Sequence, residues 1–172
     1  MSLIVEDGTK VAGAESYASV ADASAYHTAR GNAGWAAVVD KEAALRKATD
    51  FMLQTYRLGW KGYRVDPEQA LDWPRCEVYL NEVLSGQFSS LYCLPSNIVP
   101  NEVKNACIEL ALKVTVEDLN PDLTQQVLSS TVGPISISYS ASSPQYKRFR
   151  AVDMMLVPYL DGNGITAKVG RS

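Results

Sequence analysis

Val103-Lys104-Asn105-Ala106-Cys107-Ile108-Glu109-Leu110-Ala111-Leu112-Lys113-Val114, just after Pro100, is the stretch from which the fold is read. Val103, Ala106, Cys107, Leu110, Ala111 and Val114 stand at i, i+3, i+4, i+7, i+8 and i+11, the spacing of one helical face. This predicts the core helix. It can run no further than about Asp118, because Asn120 precedes Pro121 and a residue before proline is pushed out of the helical region. Cys107 lies on the apolar stripe, where a free thiol serves as a small hydrophobe and not as a nucleophile.

Upstream, Asp40 is placed to cap a partner helix reaching to about Tyr56. Its buried stripe is Leu45, Ala48, Met52 and Tyr56, with Ala44 and Phe51 alongside. Lys41, Glu42, Arg46, Lys47 and Asp50 fall mainly on the other side. Order is expected to begin after Ala12-Gly13, with Ser19 capping a short helix that Asp22 complements and Gly31 stops. Asn32 to Val39 carries Trp35 in a turn of helix. Asp66-Pro67-Glu68-Gln69 reads as cap, first helical position and capping box of a brief helix ending at Leu71-Asp72-Trp73-Pro74. Glu77 to Pro95 is interrupted by Ser85, Gly86, Ser89 and Ser90 and reads as a long loop with some local structure.

Downstream of Gln125 the period becomes two. Val127, Ser129 and Thr131 alternate with Leu128, Ser130 and Val132. Past Gly133-Pro134, Ile135, Ile137 and Tyr139 alternate with serines. Two strands around Gly-Pro predict a hairpin or an extended arm. Such a hairpin is marginal alone in water, so its apolar side should rest on another chain or another part of this one. A last helix should start at Ser143-Pro144 and bury Phe149, Val152 and Leu156, with Tyr146 a further candidate, until Pro158 ends or kinks it. The glycine-rich tail after Asp161, with Ile165, Lys168, Val169 and Arg171, looks like a segment that orders on contact. The expected fold is therefore mainly α: a small helical bundle with a β-hairpin or extended strand arm and flexible termini. One domain covers 1–172, with a helical core at about 16–120, the arm at about 125–142 and the last helix and tail at 143–172.

Composition narrows the chemistry. The 172 residues include 16 Lys+Arg and 19 Asp+Glu, for a formal charge of −3, and 47% are hydrophobic. A chain of this size can bury roughly 70% of its unfolded surface. One His and three Cys, none closely paired, disfavour zinc, haem and a disulfide framework, and no cofactor is expected. Cys76, Cys93 and Cys107 read as reduced thiols. Met1 to Lys10 lacks the basic start and apolar run of a secretion signal. No stretch approaches the roughly 20 apolar residues of a bilayer span, so no membrane partner is expected. His27 stands alone, and acid-base catalysis needs an orienting partner, so a structural histidine is the better reading. Glu42, Asp50, Asp66, Glu68, Asp72, Glu77, Glu82, Glu102 and Glu109 form no paired-carboxylate motif, and no phosphate-binding glycine loop occurs. An enzyme is not expected.

Two clusters mix cations with aromatics: Tyr56-Arg57, Trp60-Lys61 and Tyr63-Arg64 with Trp73 and Arg75 nearby, and Tyr146-Lys147-Arg148-Phe149-Arg150. Such mixtures can stack bases while gripping phosphates. The plainer reading, rings in the core and cations in solvent, is favoured because a net negative chain offers no steering field toward DNA.

Taken in order, SYASVADASAY from Ser16 to Tyr26 with Arg30-Gly31, Trp35, Ala44 to Asp50 (ALRKATD), Leu71-Asp72-Trp73-Pro74-Arg75, Val103-Lys104-Asn105-Ala106 with Glu109 to Leu112, Val132-Gly133-Pro134-Ile135, and Val152-Asp153 with Pro158-Tyr159-Leu160 resemble a family from tailed-phage and prophage genomes. Its members are often labelled DnaT-like single-stranded DNA-binding protein and look like head-to-tail adaptors, also called connector or head-completion proteins. The similarity covers roughly Ser16 to Leu160. It implies a structural virion component with no reaction to perform: a homo-oligomeric ring, typically a dodecamer, in the neck between the portal protein and a downstream neck or tail protein. Double-stranded DNA would pass through with only transient, non-specific contact, and assembly would take place in the host cytoplasm. On that reading Val132, Gly133, Pro134, Ile135, Ile137 and Tyr139 meet neighbouring subunits or face the channel. Tyr159, Leu160, Ile165, Lys168, Val169 and Arg171 dock on the portal or the adjoining ring. The alternative takes the label literally, as a replication-linked single-strand binder using Trp60, Lys61, Tyr63 and Arg64, or Lys147, Arg148 and Arg150.

Overall fold

Ser19 and Asp40 each close the start of a helix with a side chain, and those two caps set the order of the first half. Ser19 Oγ accepts from the Asp22 amide at 3.0 Å while the Asp22 carboxylate accepts from the Ser19 amide, a complete capping box at the head of α1, Val20–Ala29. A single 3-10 turn follows at Ala33–Trp35. Asp40 Oδ1 accepts from the Ala43 amide at 2.8 Å and opens α2, Lys41–Tyr56. The core helix α3 spans Asn101–Val114, and α4 spans Arg150–Leu156, continued by a 3-10 turn at Val157–Tyr159. The computed structural model describes residues 2–82, 90–121, 129–132, 135–138 and 148–161.

The three helices α1, α2 and α4 all pack on α3. From α2 come Leu45, Ala48 and Met52, from α3 Val103, Ala106, Cys107, Leu110 and Ala111, and from α4 Val152 and Leu156, all buried. The stripe of α3 is wider than its spacing predicts, because Ile108 is buried as well and Val114 only partly so. α1 causes this: its His27 lies against that side of α3 and donates from Nε2 to the Ile108 carbonyl at 3.2 Å. On the outer side of α2, Arg46 reaches Glu15 at 3.0 Å and Glu42 at 3.4 Å.

Strands make up the remainder. β1 (Tyr63–Arg64) pairs antiparallel with β2 (Arg75–Cys76), β3 (Tyr79–Glu82) with β4 (Ser90–Cys93), and β5 (Ser129–Val132) with β6 (Ile135–Ser138). Three small antiparallel sheets beside the helices make this a mixed α/β protein, and the expectation of a mainly helical fold is corrected. The loop expected over Glu77 to Pro95 contains β3 and β4, whose sequences, Tyr79-Leu80-Asn81-Glu82 and Ser90-Leu91-Tyr92-Cys93, do not alternate apolar with polar residues. The hairpin expected after Gln125 is present as β5 and β6, with Ser129 opposite Ser138 and Val132 opposite Ile135.

Three further expectations change. The brief helix after Asp66 is a turn. Gln69 Oε1 does accept from the Asp66 amide, but Gln69 Nε2 donates to the Leu71 and Pro74 carbonyls, 2.8 and 3.1 Å, and so bends the chain back on itself. The last helix starts at Arg150, after a non-helical Phe149, and the proposed start at Ser143-Pro144 lies outside the described residues. Order also begins well before Ala12. Glu6 is 1% exposed, and its carboxylate accepts from the amides of Gly8, Lys10 and Val11 at 2.8–3.0 Å, while its own amide donates to Ser16. A buried carboxylate is tolerable only with such donors around it.

Burial holds the His27 imidazole below its ordinary value of 6.5. The unfolded chain therefore takes up that proton at a higher pH than the folded one, so stability is full above about pH 6.5 and declines as the pH falls through the window beneath it. Urea unfolding of the wild type between pH 7.5 and 5.5 should show this loss, limited to about 1.4 kcal/mol per pH unit for one proton, and His27→Gln should flatten the profile. An unchanged slope in the variant would remove His27 from this role.

Candidate nucleic-acid interface

Residues 57–79 follow α2 and carry β1 and β2, and their geometry is set by a row of rings. Phe149, Phe51, Tyr56, Trp60, Trp73 and Tyr159 follow one another with centroids 5.6–6.4 Å apart, mostly edge to face. The Tyr56 hydroxyl donates to Asp153 Oδ1 at 2.6 Å and the Tyr159 hydroxyl to Glu102 Oε2 at 2.7 Å. Burial, with the Asp153 carboxylate beside it, raises the Tyr56 phenol far above its usual range. Trp60 bridges Leu160 in antiparallel fashion, with the Lys61 amide donating to the Tyr159 carbonyl and the Asp161 amide to the Gly59 carbonyl.

The cations of this region divide into two kinds. Arg75 is buried, and its guanidinium donates to the carbonyls of Lys61 (2.8 Å), Gly62 (2.6 Å) and Asp72 (3.3 Å). It staples the turn, and burial lowers its pKa although Asp72 opposes the shift. Arg57, half exposed, pairs with the buried Asp72 at 3.0 Å, and the Asp72 amide donates to the Tyr17 hydroxyl. Lys61 Nζ donates to the Pro158 carbonyl at 2.8 Å and the Tyr79 carbonyl at 3.3 Å from an exposed position. Arg64 is exposed on β1.

Among the described residues three tyrosines remain on the surface: Tyr63 at 67%, Tyr79 at 48% and Tyr92 at 42% exposure. Tyr63 is opposite Cys76 in the first sheet. In the second, Tyr79 is opposite Cys93 and Tyr92 opposite Leu80, so Tyr79 and Tyr92 stand on opposite faces of that ribbon. The base of the β3–β4 pair is pinned where the Leu94 amide donates to the carbonyl of Val78, both side chains being buried. Solvent-facing phenols beside Lys61 and Arg64 can stack bases and meet phosphates. The acidic neighbours are Glu77, exposed, and Asp66 and Glu68 in the following turn.

Of the residues singled out for strand contact, the structure brings Lys61, Tyr63 and Arg64 together at the surface but turns Trp60 inward, 4% exposed. Arg148 and Arg150 are exposed around the buried Phe149, and Lys147 lies outside the described residues. Tyr159 and Leu160, expected to dock on a partner, are buried within the chain. Val132, Ile135 and Ile137 are in β5 and β6, whereas Gly133, Pro134, Tyr139, Ile165, Lys168, Val169 and Arg171 lie outside the described residues. Sequence reasoning missed Tyr79 and Tyr92. The signal was present in Val78-Tyr79-Leu80 and Leu91-Tyr92-Cys93, two apolar and aromatic triplets of strand character. Among the described residues no group of three or more His, Cys, Asp or Glu could hold a metal ion, and no helix is long and apolar enough to cross a membrane.

A family model described as "Putative DnaT-like ssDNA binding protein" matches residues 1–172, so the chain belongs to that family. No curated protein and no solved structure matches it. That description names single-strand binding and no virion component, so the expectation of a neck ring or connector in a virion is corrected.

The turn before β1 leaves no room for a side chain. Gly62 has φ +64°, and a Cβ there would run into the Cys76 carbonyl oxygen and the Glu77 backbone. Gly62→Ala should destabilise the protein by about 1–3 kcal/mol, read as a lowered urea midpoint. An unchanged midpoint would mean that β1 and β2 approach each other differently.

Proposed function

We propose that this protein binds single-stranded DNA with little sequence preference around its first two sheets, where Tyr63 and Tyr79 offer the most exposed rings and Arg64, Tyr92 and Lys61 flank them. The observation that carries the proposal is the exposure of three tyrosines on the short strands of the first two sheets, in a chain whose family is described by this activity. Each ring offers a π-face that any base can use, and Arg64 and Lys61 supply the charge for the intervening phosphates. Few cations are free in this region, and the net charge of −3 opposes long-range attraction, so binding should be moderate and sensitive to salt. Arg75 and Trp60 act from beneath, by holding the turn and not by touching the strand.

Titration with a thymidine oligonucleotide at increasing salt should give a logarithmic affinity that falls linearly, by about 0.7 for each phosphate neutralised. Tyr63→Ala and Tyr79→Ala should each weaken binding by about 1–3 kcal/mol. Cys93, exposed opposite Tyr79, supplies an independent readout: in a Cys76→Ser background its alkylation should slow when the oligonucleotide is bound. Flat titrations at low salt would refute the proposal. Loss of binding in Arg148→Ala or Arg150→Ala, with the tyrosine variants unaffected, would move the interface to the start of α4.

A further inference from the structure

Between the last turn of α1, the 3-10 turn and the start of α2 lies a cavity of about 480 Å³, on elements other than those that carry the tyrosine face. That volume is in the range of small-molecule sites. Trp35, Thr28, Asn32, Ala36 and Lys41 are among its lining residues. The Trp35 ring is 2% exposed and fixed by its own partners: Nε1 donates to Ser24 Oγ at 3.1 Å, and the His27 ring lies 4.9 Å away.

The polar groups of the cavity are placed unequally. His27 Nε2 faces the Ile108 carbonyl and carries the ring proton, so Nδ1 accepts from Asn32 Nδ2 at 3.1 Å. This fixes the amide orientation of Asn32. Its Oδ1 and its second amide hydrogen have no protein partner among the described residues. A free acceptor and donor on one amide is the arrangement that reads base edges. Lys41 Nζ, 5.9 Å from the centre of the Trp35 ring, donates to the Val38 carbonyl at 3.0 Å and has two further hydrogens. Arg30, next to the lining residue Gly31, lies over the Tyr26 ring at 3.5 Å. The neighbouring acid, Asp40, directs its carboxylate to the Ala43 amide.

We propose that this cavity accepts one nucleotide, its base hydrogen-bonded by Asn32 and its phosphate met by Lys41, with the buried Trp35 as the cavity wall that reports on it. Because every base carries an adjacent donor and acceptor, little discrimination between bases is expected. A free nucleoside monophosphate and a single residue of a bound strand present the same chemistry, and only the second source rests on the strand-binding function proposed above.

The full chain can be followed by the NMR signal of the Trp35 indole N–H, assigned with Trp35→Phe. It should be titrated separately with the four deoxynucleoside monophosphates, a thymidine oligonucleotide and the same oligonucleotide made abasic. A saturable shift with monophosphates supports the free-nucleotide source. A shift with the oligonucleotide that the abasic strand fails to produce supports the strand source. Asn32→Leu and Lys41→Gln should each weaken the response by at least about fivefold, the loss of one polar contact. Ala36→Phe, from an exposed lining position, should block it while the Trp60 and Trp73 indole signals keep their places, showing an intact fold. No Trp35 response to any ligand, or a response that survives Ala36→Phe, would overturn the inference. Salt-dependent strand binding with a silent Trp35 would sink only the cavity, and a monophosphate response without strand binding would sink only the tyrosine face.

Discussion

Six rings in van der Waals succession, from Phe149 at the head of α4 through Phe51, Tyr56, Trp60 and Trp73 to Tyr159, tie the helical half of the molecule to its sheets. Each edge-to-face or tilted pair is worth about 0.5–1.5 kcal/mol beyond the area it buries. The row is fastened at two of its hydroxyls, on Asp153 of α4 and Glu102 of α3. Without it the segment after α2 would depend on its polar ties and on a two-residue ladder, and a ladder that short is not stable alone.

The division of labour among the cations follows from that row. Once Trp60 and Trp73 are inside, the turn between them exposes carbonyls to a dry environment, and a buried guanidinium is the group with enough donors in one plane to satisfy three of them. Arg75 takes that position. Its charge is then spent on the protein, with the buried Asp72 nearby to balance it. What is left for a ligand is the outward set on β1, β3 and β4.

Much of the helical architecture is legible in the residues. Ser19 with Asp22, Asp40, and the three-to-four spacing of Val103 to Ala111 state where α1, α2 and α3 begin and which faces they bury. The first two sheets are less legible because β1 and β2 are only two residues long and β3 and β4 do not alternate apolar with polar residues, whereas the alternation of β5 and β6 is visible. Gln69 illustrates another limit: its side chain can complete a helix cap or turn the chain back, and the carbonyls of Leu71 and Pro74 decide the matter. The mixed run from Tyr56 to Arg64 is visible as composition, but the direction of each ring is not. Trp60 and Tyr63, three residues apart, end on opposite sides of the surface because Leu160 and Trp73 claim the first. The Trp35 cavity had no sequence signature, since Asn32 and Lys41 are ordinary cap and surface residues until His27 orients one of them.

The bond between Leu94 and Val78 has an evolutionary corollary. A hairpin nailed down at its root keeps the aromatic pair there in place whatever the connecting segment beyond it becomes. Relatives could lengthen, shorten or recompose that connection by drift, at little energetic penalty, and still present the same two phenols.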